Sequence, residues 1–142
     1  MPLMQKGVAM LSNRMPKVIG PKTHAIIDYA VAATFFSVAA LFWSRNKRAA
    51  VSSLVCGMAT TANSLLTDYP GGVYKVMSFP THGKIDMGLA GLTASMPNLM
   101  GFEDDRESRF FQLQAIAETG VTAMTDFEAL NRTDYYRHRE AA

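Results

Sequence analysis

At 142 residues the chain has room for one domain or for two small duplicated halves. Hydrophobic residues make up 49% and charged ones 18%, which excludes disorder over most of the chain. The only cysteine, Cys56, excludes an internal disulfide framework and a Cys-rich zinc site, and a formal charge of +2 gives no case for nucleic-acid binding.

Residues 1–20 carry Lys6, Arg14 and Lys17 but no continuous apolar core, so they read as an N-terminal arm and not as a signal peptide. Four long apolar runs follow, at 24–43, 49–66, 82–102 and 110–127. Each has about the length that crosses a bilayer at a rise of about 1.5 Å per residue. The second run has no charge at all. The third carries Lys84, Asp86, Pro97 and Asn98, and the fourth carries Gln112, Gln114 and Glu118. All four exceed strand length, and Ala, Met and Leu outweigh alternating β-branched residues, so helix is expected throughout. Thr23 and Thr81 stand before the first and third runs as expected N-caps, and Pro70, Gly71 and Gly72 are expected to stop the second helix. The acidic run 103–109 reads as a solvated loop whose acids pair with the basic loop 44–48. The last stretch, 128–142, reads as a polar C-terminal tail in which His138 has no partner in view.

Aromatic residues gather at the ends of the runs: Phe42 and Trp43, Tyr69, Phe102, Phe110 and Phe111, Phe127. That distribution suits the interfacial belts of a membrane protein. Gly57, Ala59, Gly88, Gly91 and Ser95 would permit close helix contact in lipid. A water-soluble bundle needs a polar face along every helix, and 49–66 offers only Ser, Thr and Asn for one.

The chain also aligns with itself at a shift of 58 residues. THAIID at 23–28 falls on THGKID at 81–86, and LLTDY at 65–69 falls on AMTDF at 123–127. Twelve of 47 positions are identical between 23–69 and 81–127, where chance gives about three. The expected fold is therefore all-α: a four-helix transmembrane bundle made of two tandem, parallel helical hairpins, about 23–69 and 81–127, within a duplicated membrane domain at 21–127.

Parallel hairpins have a chemical consequence. His24 and Asp28 begin helix one, and Thr67 and Asp68 end helix two on the same side. His82, Asp86, Thr125 and Asp126 repeat that placement in the second half. All eight are expected at one membrane face. Nine Lys and Arg residues lie on that side and five on the other, so the positive-inside rule places both termini and the cluster in the cytoplasm.

The pattern THAIIDY, LLTDYPGG, SFPTHGKIDMGLAGL, MPNLMGF and MTDF resembles small bacterial four-helix membrane proteins similar to the SPW-repeat proteins, over roughly residues 21–127. The H-x3-D-Y start, the T-D-Y-P-G-G turn and the segment Pro97, Gly101, Phe102 carry the resemblance. Ser95, Met96 and Pro97 stand where the tryptophan-bearing motif of that group would be sought. The resemblance implies the fold and a bacterial inner-membrane location, and no activity.

Three roles are open at this point. The first is structural: the H-x3-D pairs join each other and the Thr-Asp ends, setting helix register in a small accessory subunit of a membrane assembly. Its partners would be the bilayer and either other membrane subunits or further copies of the chain. The second makes His24 and His82, with Asp28 and Asp86, ligands of a divalent metal such as zinc or iron, or makes the two histidines axial ligands of haem. The third is a proton or ion conduit through Glu118, with Gln114 one turn away on the same face. A charged carboxylate at mid-membrane costs about 2.5–3.5 kcal/mol, so Glu118 is expected to be protonated, or bonded to Thr60, Thr61 or Asn63. No Ser-His-Asp order, phosphate loop, dinucleotide fingerprint or H-E-x-x-H motif suggests catalysis.

Overall fold

The computed structural model describes residues 6, 10 and 14–141. Most of the expected arm at 1–20 therefore falls outside the described residues. Among the described residues the chain forms α1 (Pro21–Phe42), α2 (Lys47–Leu65), β1 (Thr67–Asp68), β2 (Met77–Ser78), α3 (Phe79–Met100), α4 (Ser108–Met124) and α5 (Ala129–Ala141). The molecule is all-α apart from the two short strands.

The four apolar runs become α1 to α4, but their caps differ from expectation. Gly20 caps α1 and contributes no side chain, and Pro21 occupies the first turn, where a missing N–H costs nothing. Ser78 caps α3 by accepting from the Thr81 amide. Thr23 and Thr81 are thus inside their helices and are not caps. Asn46 caps α2 through the Ala49 amide. α2 ends at Leu65, well before Pro70, because the returning loop takes its last carbonyls. Val73 and Tyr74 amides donate to Leu65 O, and Val76 and Met77 amides donate to Leu66 O. Thr67 and Asp68 consequently lie in a strand and not at a helix end. The loop closes tightly at Gly72, where a Cβ would sit 1.6 Å from Thr67 O. Gly101, at φ +68, ends α3 in the left-handed conformation.

Neighbouring helices pack in sequence order, α1 on α2, α2 on α3 and α3 on α4, while α1 and α4 hardly touch. Phe35, Ala49, Cys56, Met96, Phe102 and Phe111 form one core cluster. Ala25, Tyr69 and Phe79 form a second around the helix starts, with Phe127 and Leu130 against it. Gly57 is packed, since a Cβ there would lie 3.1 Å from Phe35 Cβ, whereas a Cβ at Gly88 or Gly91 would meet nothing within 4 Å.

The shift of 58 residues recurs in the contacts. β1 and β2 pair in parallel, Thr67 opposite Met77. The counterpart is a parallel bridge between Ile19 and Thr125, with the Ile19 amide on Met124 O and the Asp126 amide on Ile19 O. In both bridges the segment before one half's first helix pairs with the end of the other half.

The loop expectation is corrected, and the tail takes a definite form. The basic and acidic loops meet through Asn46, whose Nδ2 donates to Asp105 Oδ2 at 2.8 Å, and through Arg48, whose guanidinium donates to Gly101 O. Among the described residues no ion pair joins them, because the cap residue already occupies the contact. The polar tail expected at 128–142 is helix α5 over most of its length, with local bonds such as Thr133 Oγ1 to Ala129 O, Leu130 against the second cluster and no residue buried.

Among the described residues α1 alone is both long and apolar enough to cross a membrane, and only 28% of its most apolar window is buried. Hydroxyl and amide groups dilute α2, Lys84 and Asp86 interrupt α3, and α4 is 17 residues long and carries Arg109, Gln112, Gln114 and Glu118 besides three hydroxyl side chains.

Candidate functional site

α1 and α3 begin at the same end of the bundle, so each H-x3-D pair sits one turn inside its helix and faces the other pair. His24 is 1% exposed and His82 is fully buried. Within the pairs, His24 Nε2 lies 3.3 Å from Asp28 Oδ1 and His82 Nε2 lies 3.0 Å from Asp86 Oδ2. Across the halves, His24 Nε2 is 3.0 Å from Asp86 Oδ2 and His82 Nε2 is 3.1 Å from Asp28 Oδ2. The two Nε2 atoms are 3.2 Å apart. One donor atom from each of the four side chains falls within 4.8 Å of the other three.

The outer nitrogens reach across the halves. His24 Nδ1 is 2.8 Å from Thr125 Oγ1, and His82 Nδ1 is 2.8 Å from Thr67 Oγ1. Each threonine has one proton, and each gives it to the carbonyl one turn back: Thr125 to Val121 O and Thr67 to Asn63 O. The hydroxyls must then accept from the imidazoles, so Nδ1 carries the proton in both rings. A neutral ring in this setting turns a bare Nε2 lone pair into the cluster.

The carboxylates are also held from behind. Tyr69 Oη and Ser64 Oγ donate to Asp28 Oδ2, at 2.8 and 3.1 Å. Asn63 Nδ2 donates to Asp86 Oδ1 at 2.8 Å, while its own Oδ1 is buried without a partner. Aromatic rings enclose the histidines: Phe127 and Phe79 stand edge-on to His24, and Tyr69 lies 5.1 Å from His82 between centroids. Phe127 fits because Gly83 has no side chain; a Cβ there would come within 2.7 Å of its ring.

Six of the eight expected residues therefore meet: His24, Asp28, Thr67, His82, Asp86 and Thr125. Asp68 and Asp126 do not. They turn outward to Lys75 and Arg132 respectively. A strand's side chains alternate, so when Thr67 points in, its neighbour Asp68 points out. Asn63, Ser64 and Tyr69 were not foreseen. Their sequence signal was position: Asn63 lies one turn before Thr67, and Tyr69 is the counterpart of Phe127 at the 58-residue shift.

The present spacing of the two histidines does not fit haem between them. Trans axial nitrogens stand about 4 Å apart with the porphyrin plane between them. Here they are 3.2 Å apart, and the carboxylates fill the flanks.

Glu118 lies elsewhere, in α4. Thr93 Oγ1 donates to its Oε2 at 3.3 Å and Gln114 Nε2 to its Oε1 at 3.2 Å. None of the expected partners bonds it. Thr61 bonds Gly57 O, Asn63 is engaged with Asp86, and Thr60 only shares a cavity with Glu118. That cavity, about 240 Å³, runs along the loose seam between α1 and α4 and touches His24, Asp28 and Asp86. His138 is on the exposed helix α5.

The arrangement gathers two imidazoles and two carboxylates, each also hydrogen-bonded by a side chain outside the four. Comparison with known proteins finds no match to the chain among family models, curated proteins or solved structures.

Proposed function

We propose that the chain is a small integral membrane protein with a structural, accessory-subunit role. Its four long helices lie in lipid, and the His/Asp cluster fastens its two halves at one end. The reading rests on one observation, large apolar side chains on the outside while hydroxyls share the interior with the two apolar clusters. Side chains facing outward include Leu41, Met58, Leu99, Leu113 and Ile116, the last 70% exposed. Side chains facing inward include Ser52, Ser53, Ser64, Thr93 and Thr122. Water favours the opposite sorting, and lipid tolerates this one. Outward hydroxyls support it too. Thr34, Ser37 and Ser95 return their protons to Ala30 O, Ala33 O and Gly91 O, which satisfies these three hydroxyls as donors within their own helices.

α1 is about 33 Å long, enough for the hydrocarbon core, while α4 at about 26 Å calls for local thinning or tilt of its neighbours. The excess of Lys and Arg around the cluster end puts that end, with both termini, on the cytoplasmic side of a bacterial inner membrane.

Alkaline carbonate washing followed by native electrophoresis in mild detergent tests both parts of the proposal. The protein should stay with the membrane pellet and migrate as an oligomer or with a second protein. Release by carbonate would overturn the membrane reading. Migration as a bare monomer would overturn the accessory role.

A further inference from the structure

We propose that His24, Asp28, His82 and Asp86 bind one divalent transition-metal ion of the zinc or ferrous class, a role that holds whether or not the helices lie in lipid. Three independent observations support it.

The first is the tautomer. Both Nδ1–H groups are committed to threonine hydroxyls whose own protons go to the backbone. Both lone pairs therefore face inward, and a His ligand whose second nitrogen donates to a neighbour is the usual arrangement at protein metal sites. The carboxylates are oriented in the same way, by Tyr69, Ser64 and Asn63.

The second is spacing. Four donors about 2.0 Å from a central ion at tetrahedral angles stand about 3.3 Å from one another. The nitrogen–nitrogen separation is 3.2 Å, and the nitrogen–oxygen approaches run from 3.0 to 3.3 Å, with Asp28 meeting His24 through Oδ1 and His82 through Oδ2. One donor atom per residue lies within 4.8 Å of the other three, so binding an ion draws the carboxylates in from their present positions.

The third is charge. Two neutral imidazoles, two carboxylates and a dication sum to zero, so the closed site carries no net charge into the interior. Nitrogen and carboxylate oxygen in equal number suit zinc or ferrous iron better than calcium or magnesium, which prefer oxygen alone. Four protein ligands make a closed site of structural type. The cavity beside Asp86 gives the ion a way in, with Glu118 on its wall.

Purified protein in detergent, stripped with a chelator and titrated with Co²⁺ and Zn²⁺, provides the test. One Co²⁺ per chain should bind, with the intense visible bands of tetrahedral coordination, and Zn²⁺ should displace it. His24→Ala and His82→Ala should each weaken binding more than about 100-fold. Asp86→Asn, nearly the same shape, should weaken it while circular dichroism stays helical. The wild-type titration decides the matter even if the histidine variants do not fold. Helical wild-type protein that takes up neither ion at micromolar concentration, or that binds Co²⁺ with an octahedral spectrum unaffected by Asp86→Asn, would overturn the assignment.

Discussion

Two threonine hydroxyls determine what the histidines can do. Thr67 and Thr125 each send their single proton to a carbonyl one turn back, and so each becomes an acceptor for an imidazole of the opposite half. Thr67→Val keeps the shape and removes the acceptor. The buried Nδ1–H of His82 is then left with only a long approach to Asn63 O, at 3.4 Å. An unsatisfied buried donor costs about 1–3 kcal/mol, so Thr67→Val should lower the melting temperature in detergent, and Thr67→Ser should restore most of the loss. An unchanged melting temperature in Thr67→Val would show that the hydroxyl is dispensable. The sequence exposed Thr67 and Thr125 as matched positions at equal distance from their histidines. It could not show that each reaches the other half's histidine, because a shift alignment reports equivalence and is silent on pairing. For the same reason Asp68 and Asp126 looked as inward as their neighbours.

At the level of helices and strands, the apolar runs were legible because length and composition alone mark them. β1 and β2 were not, since two-residue strands have no period to detect. α5 was hidden by its polarity: it has no apolar stripe, only Leu130 at its start packs against the bundle's second cluster, and a 13-residue helix so thinly packed is marginal in water. Its start is tied to the bundle by Arg132 on Asp126. The guanidinium beside Asp126 holds that carboxyl below its ordinary range. A carboxylate with a lowered folded pKa contributes stability above its ordinary value, about 3.9, and loses it as pH falls through the lowered one. Amide protection factors in α5, corrected for the intrinsic rate, should therefore fall on acidification below about pH 4, ahead of the bundle. Asp126→Asn should show the reduced protection already at neutral pH. Protection that ignores both changes would mean that this pair does not hold the helix. The effect is small because both partners are partly solvated.

The whole molecule departs from its own symmetry in how it closes. The α2–α3 seam is packed, while its counterpart between α4 and α1 is loose and holds the cavity. Divergence at matched positions fits this: Thr60 corresponds to Glu118, and Cys56 to Gln114. The outer face of α3 is unfilled as well. Gly88, Gly91 and Ser95 follow one another at helical spacing on exposed positions, and added Cβ atoms at the glycines would meet nothing within 4 Å. In lipid a strip of small residues lets a second helix approach closely, so an accessory subunit would meet its partner or its own copy there. Replacing both glycines by Leu separates this role from folding. Nothing inside the chain opposes the new side chains at their roots, and leaving glycine favours the helix by about 1 kcal/mol per residue. Gly88→Leu combined with Gly91→Leu should therefore keep or raise the melting temperature of the isolated chain. In native electrophoresis the associated species should give way to monomer. If association survives the double variant with the fold intact, the contact face lies on another helix. If the fold is lost instead, α3 packs its glycines against the chain itself, and the strip cannot serve as an outer contact.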